Sequence, residues 1–157
     1  VRVFIKCLTL KASIGDILIK VLATGTFDIL HPGHVLFLEK ARELGDELNV
    51  IVARDSMITH KPRPIVPDEQ RLKMVQSLKV VDHAILGSES EMFEPIEKIQ
   101  PDIIALGYDQ TFEIDILKKE LQDRGFNSEV VRVKESKTCP LCSSGRIIQR
   151  ILNRYGD

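Results

Sequence analysis

Short apolar runs alternate with stretches of helical periodicity along this chain. Val21–Thr24, preceded by Ile19 and Lys20, is an apolar run that stops at Gly25, the pattern of a buried strand closed by a tight turn. From His34 to Leu44, apolar residues fall at Val35, Leu38, Ala41 and Leu44, which is helical spacing, and Gly45 supplies the stop. Leu48–Ala53 is β-branched and apolar and predicts a second strand. Arg54–Val66 is polar, with Pro62, Pro64 and Pro67 close by, and predicts a loop. Pro67 then opens a helix that runs to Leu78, with Asp68 and Glu69 in its first turn. Three strand–helix units follow. They are Ala84–Leu86 with Glu91–Ile99, Ile103–Leu106 with Ile114–Arg124, and Glu129–Val133 with Ser144–Arg154.

This alternation predicts an α/β fold: a doubly wound, Rossmann-like, five-stranded parallel sheet with helices on both faces. Residues 1–17 lie outside the pattern, as an N-terminal extension that is either an extra edge strand or a poorly ordered tail. Residues 18–157 form the single domain.

Composition narrows the function. The chain has 157 residues, with 22 Lys+Arg against 23 Asp+Glu, for a net charge of -1. That balance speaks against a general nucleic-acid binder. No apolar run reaches the length of a membrane span, and no apolar block precedes a small-residue cleavage site, so the expectation is a cytoplasmic protein. Two of the 3 cysteines form the tight Cys139-Pro140-Leu141-Cys142 pair. This is not a disulfide framework of the secreted kind, and without a second such pair no all-cysteine zinc site is possible.

Ligands of doubly wound sheets bind at the carboxyl ends of the strands. After the first strand comes Gly25-Thr26-Phe27-Asp28-Ile29-Leu30-His31-Pro32-Gly33-His34. Two of the 4 histidines therefore fall in one turn, at the start of a helix whose free N–H groups and positive dipole end attract anions. Gly33 lets a ligand come close to the backbone, and Gly25 permits the turn that brings the Thr26 and Phe27 amides nearby. Together these groups predict a site for phosphate that gains charge during a reaction.

The run Gly25-Thr26-Phe27-Asp28-x-x-His31-x-Gly33-His34 resembles the signature of the cytidylyltransferase-like nucleotidyltransferases. The wider resemblance is to the small archaeal FAD synthases (FMN adenylyltransferases). It is carried by TGTFDILHPGH, IVARD, KPRPIVPDEQR, PDIIALGYDQ and CPLCSSGRIIQRIL, and it spans Ile19 to Leu152. Two departures speak against CTP-dependent glycerol chemistry. The Arg-Tyr-Val-Asp-Glu-Val of many cytidylyltransferases is Lys79-Val80-Val81-Asp82-His83-Ala84 here. Their late Arg-Thr-x-Gly-Ile-Ser-Thr-Thr is Lys137-Thr138-Cys139-Pro140-Leu141-Cys142-Ser143-Ser144.

The resemblance implies transfer of AMP from ATP to FMN, giving FAD and pyrophosphate, with CTP as the alternative triphosphate. It implies that His31 and His34 stabilise the α-phosphate and the transition state, while Thr26, Phe27, Pro32 and Gly33 complete the nucleotide-binding turn. A divalent cation, Mg²⁺, accompanies the triphosphate, with no dedicated metal ligands in the chain, and a homodimer is expected.

Asp109, just after a strand-ending Gly107, is placed to meet a ribose or base edge, although a turn Asp is also ordinary there. Ser136 follows the last strand and is placed to touch the nucleotide. Ser143 and Ser144 begin the last helix, where they can cap it and, as the resemblance implies, also hold the β- and γ-phosphates. Lys61 is read as a phosphate-neutralising residue or a solvated loop lysine. Arg71 is read as a substrate-phosphate ligand or an exposed helix arginine. Cys139 and Cys142 are read as redox-sensitive, with half a metal site and plain packing left open. Two alternatives stand beside the leading one: another enzyme of the same family, such as a glycerol-3-phosphate cytidylyltransferase, and a non-catalytic nucleotide- or metal-binding module.

Overall fold

The structure is a computed structural model that describes residues 18–59, 62–110, 112–135 and 138–156. The N-terminal extension at 1–17 lies outside the described residues. The elements are β1 (Lys20–Gly25), α1 (Pro32–Arg42), β2 (Glu47–Val52), α2 (Asp68–Gln76), β3 (His83–Leu86) and α3 (Glu94–Ile99), followed by β4 (Ile103–Leu106), α4 (Ile114–Asp123), β5 (Glu129–Arg132) and α5 (Ser144–Tyr155).

The 5-stranded sheet has the order β3-β2-β1-β4-β5, and every pairing is parallel. The chain steps outward from β1 to β2 and β3, then crosses back and continues with β4 on the other side of β1. The crevice between the carboxyl ends of β1 and β4 is therefore the topological switch point, where such sheets bind ligands.

Strand alternation divides the core into two layers. Val21 and Ala23 of β1, with Leu48, Val50 and Val52 of β2, pack with Leu38 and Ala41 of α1 and Val75 of α2. Leu22, Ile51, Ile104, Leu106 and Val130 face the other way, against Phe93, Ile96, Leu117 and Leu121 around α3 and α4. Both faces are covered, as a parallel sheet requires.

Element ends shift for local reasons. The first helix starts at Pro32 rather than His34, because His31 acts as its N-cap and proline suits the position that follows. Pro67 sits at the N-cap of α2 rather than inside it. The third helix begins at Glu94, three residues later than its apolar pattern suggests. Within the long loop after β2, Asp55–Met57 forms one 3-10 turn.

Candidate active site

The turn from β1 into α1 is built around Phe27. Its backbone lies in the left-handed region, with φ 52, while its ring is 2% exposed. A bulky residue there is uncommon and costs about 1–3 kcal/mol, a strain that folded proteins retain mainly at functional sites. The ring lies over Gly25: a Cβ at that position would come 2.7 Å from Phe27 Cζ, so only glycine fits. The ring also meets His34 in a T-shaped contact, with centroids 5.3 Å apart.

His31 caps α1 with its own side chain. Its Nδ1 accepts the His34 backbone N–H at 3.3 Å, and the two imidazole rings stack with centroids 3.7 Å apart and 19° between planes. With Nδ1 engaged as an acceptor, the neutral ring carries its proton on Nε2, available as a donor. Burial holds the His31 pKa below its ordinary value, while the Asp109 carboxylate and a hydrogen bond to its own backbone pull it back up. The charge of Asp109 thus reaches across from the β4 side to His31.

The start of α5 closes on the start of α1. Ser143 is the N-cap, its Oγ accepting the Arg146 N–H at 3.3 Å, and Ser144 Oγ donates to the Ile29 carbonyl at 3.4 Å. A Cβ on Gly33 would lie 2.9 Å from the Cys142 carbonyl oxygen, so glycine is what allows the two segments to meet. Cys139 and Cys142 are joined in a disulfide, with Cα atoms 5.3 Å apart. In this state neither sulfur is a thiolate, which removes the half metal site left open for the pair.

At the end of β4, the loop carrying Tyr108 and Asp109 is held from two directions. Gln110 Nε2 donates to the Thr24 carbonyl at 2.8 Å, and its Oε1 accepts the Gly107 N–H at 2.8 Å. Arg132, the last residue of β5, donates to the carbonyls of Gly107, Gln110 and Phe112 at 2.9, 2.7 and 2.5 Å. Neither residue stands out as a candidate in the sequence alone. Gln110 stood beside Asp109 in the quoted motif, and a strand-ending arginine at the ligand end of the sheet was the available sign of Arg132.

Arg71 is not where it was expected. It is neither an exposed helix arginine nor a ligand facing substrate phosphate, because its side chain is 0% exposed. Its Nε donates to Val66 O at 2.8 Å, its NH1 to Thr26 O, and its NH2 to Ala53 O at 2.7 Å and Asp55 Oδ1 at 2.6 Å. Four of its five N–H donors are committed to internal acceptors, and its burial keeps the side chain away from a ligand on the surface. Lys61 and Ser136 lie outside the described residues. Among the described residues, no group of three or more His, Cys, Asp and Glu is placed to hold a metal ion.

His31, His34, Thr26, Phe27, Pro32 and Gly33 thus gather at one strand end, with Ser143 and Ser144 on one side and Asp109 on the other. Comparisons with known proteins agree with that arrangement. Residues 22–150 match the family described as cytidylyltransferase-like. An FAD synthase from Methanosarcina mazei is 66% identical over 142 residues, covering 90% of this chain and 94% of that protein. One from Archaeoglobus fulgidus is 58% identical over 135 residues, covering 86% of this chain and 98% of the other. A crystal structure described as a lipopolysaccharide core biosynthesis protein from Thermoplasma volcanium is 43% identical, with a TM-score of 0.74 over 77% of this chain and 99% of its own. A pantothenate synthetase from Thermus thermophilus, 18% identical with a TM-score of 0.55 over 83% of this chain and 61% of its own, shares the fold. The paired histidines at the switch point and the match over most of the chain lead to one conclusion: this protein belongs to the cytidylyltransferase-like family of nucleotidyltransferases.

Proposed function

We propose that this protein is an FAD synthase, transferring the AMP moiety of ATP to FMN with release of pyrophosphate. The observation that carries the reading is the stacked His31–His34 pair at the start of α1, in a chain 66% identical to a protein named FAD synthase. An FMN phosphate oxygen attacks the α-phosphorus of ATP in line. The new P–O bond forms as the bond to the bridging oxygen of the β-phosphate breaks. A phosphate dianion is already a nucleophile at neutral pH, so catalysis is positioning plus stabilisation of charge.

His31 Nε2–H and the His34 imidazole donate to the α-phosphate oxygens as charge builds there. The Phe27 amide and the first turn of α1 add backbone donors. Ser143 and Ser144, at the start of α5, hold the β- and γ-phosphates, and Asp109 meets the ribose or base. Lys61 neutralises phosphate and Ser136 touches the nucleotide. A divalent cation such as Mg²⁺, if carried by the triphosphate, would supply charge neutralisation at its phosphates. ATP is the donor in this reading, and CTP is the nucleotide to test against it. The protein acts in the cytoplasm as a homodimer, and Cys139 and Cys142 make its activity sensitive to redox state.

One assay tests the core of this reading. The reduced protein is incubated with Mg²⁺, with ATP or CTP, and with FMN or glycerol 3-phosphate as acceptor, and pyrophosphate is measured. Release with ATP and FMN is expected, and its absence defeats the proposal.

A further inference from the structure

Arg71 is fully buried, and its bonds reach three separate stretches of chain: the turn after β1, the end of β2 and the loop before α2. Asp55, its carboxylate partner, is fixed in turn by α2. Asp55 N–H donates to Asp68 Oδ2 at 3.2 Å, and Asp68 N–H donates back to Asp55 Oδ2 at 3.4 Å. The turn is tied to the same loop a second time, where Asp28 Oδ1 accepts the Val66 N–H at 2.9 Å. One of these bonds, from Arg71 NH1 to the Thr26 carbonyl, falls on the peptide that precedes the left-handed residue Phe27.

We propose that Arg71 is a positioning residue that acts on the reaction through the Thr26–Phe27 peptide. In a trans peptide the C=O and the following N–H point in opposite directions. With the Thr26 carbonyl held by the buried guanidinium, the Phe27 N–H is turned away from Arg71. It is fixed there as a donor for phosphate. The same bond keeps Phe27 in its left-handed conformation, which seats the ring against His34 and over Gly25. A lysine at this position keeps the charge but is a single point donor, and it cannot span carbonyls on three segments in the planar fork of arginine.

The inference rests on the proposed reaction, so the experiment separates the two. Arg71→Lys is compared with the wild type by circular dichroism, by kinetics with ATP and FMN, and by the backbone amide resonance of Phe27 during titration with inorganic triphosphate. The expected variant is folded, with kcat at least thirtyfold lower and the FMN KM changed less than threefold. The shift of the Phe27 amide on adding triphosphate, present in the wild type, is lost. Wild-type kcat per folded molecule, or a Phe27 amide that still responds as in the wild type, overturns the proposal. A wild-type protein that makes no FAD defeats the reaction, while the Phe27 amide still reports on Arg71. If Arg71→Lys fails to fold, Asp55→Asn takes its place. It keeps an acceptor for NH2 but removes the charge that orients the guanidinium. Its expected effect is a three- to tenfold loss of kcat with a displaced Phe27 amide, and no change in either overturns the proposal.

Discussion

His31 accepts the backbone N–H of His34 at 3.3 Å while its ring stacks on the His34 ring, so one side chain both starts α1 and forms half of the histidine pair. The two duties are separable. Asn at an N-cap accepts the same N–H as well as any residue does. His31→Asn is expected to keep stability within about 0.5 kcal/mol of the wild type and to lower turnover about 10²–10³-fold through loss of a transition-state donor. Denaturant titration and pyrophosphate release check the two halves. Near-normal turnover shows that His31 is only a cap.

His34→Ala removes the second ring without touching the cap. Turnover is expected to fall about 10²-fold, with ATP affinity changing much less, because the donors matter most where charge develops. Equilibrium binding and single-turnover rates distinguish this from a binding module, which would lose affinity and has no turnover to lose.

Burial sets the sign of a pH effect. The folded His31 binds a proton more weakly than an ordinary histidine, whose value is 6.5. The unfolded chain therefore takes up that proton first as pH falls. The contribution of His31 to stability is fully present above 6.5 and is lost as pH drops from there toward its lower folded value. Denaturation midpoints measured over this range are expected to decline more steeply for the wild type than for His31→Asn. Parallel profiles refute the linkage.

Gly33→Ala places a methyl group 2.9 Å from the Cys142 carbonyl. Backbone on both sides must give way, and α5 is expected to shift off the start of α1. We expect a rise of about tenfold in the KM for ATP, from about 1.4 kcal/mol of lost binding, with a smaller change for FMN. An unchanged ATP KM means that the α5 end does not hold the triphosphate.

The Cys139–Cys142 bridge adjoins the same contact. Reduction followed by alkylation of both thiols places two bulky groups beside Ser143 and Gly33 and is expected to lower activity. Full activity after complete modification, verified by mass, excludes a role for the pair.

Much of the fold was readable because strands and helices here obey their periods. The buried runs at Val21–Thr24 and Ile103–Leu106 and the apolar spacing of α4 stand in the structure almost where the pattern put them. The two histidines were legible because their spacing at a strand end has few structural explanations. Arg71 was misread for a physical reason: a charge on a helix normally faces water, and only tertiary structure reveals four acceptors around it. Gln110 and Arg132 escaped because their work is on backbone carbonyls and amides, which carry no sequence signal. The cysteines suggested reactivity, but their pairing depends on how the turn before α5 folds.

Gln110 has a consequence for binding. Its amide occupies the Thr24 carbonyl and the Gly107 N–H, two backbone groups at the ends of the strands that border the crevice. Both groups are thereby satisfied within the protein. Those groups are already held in place by Gln110, so on the proposed reading less of the interaction with a nucleotide is consumed in ordering them.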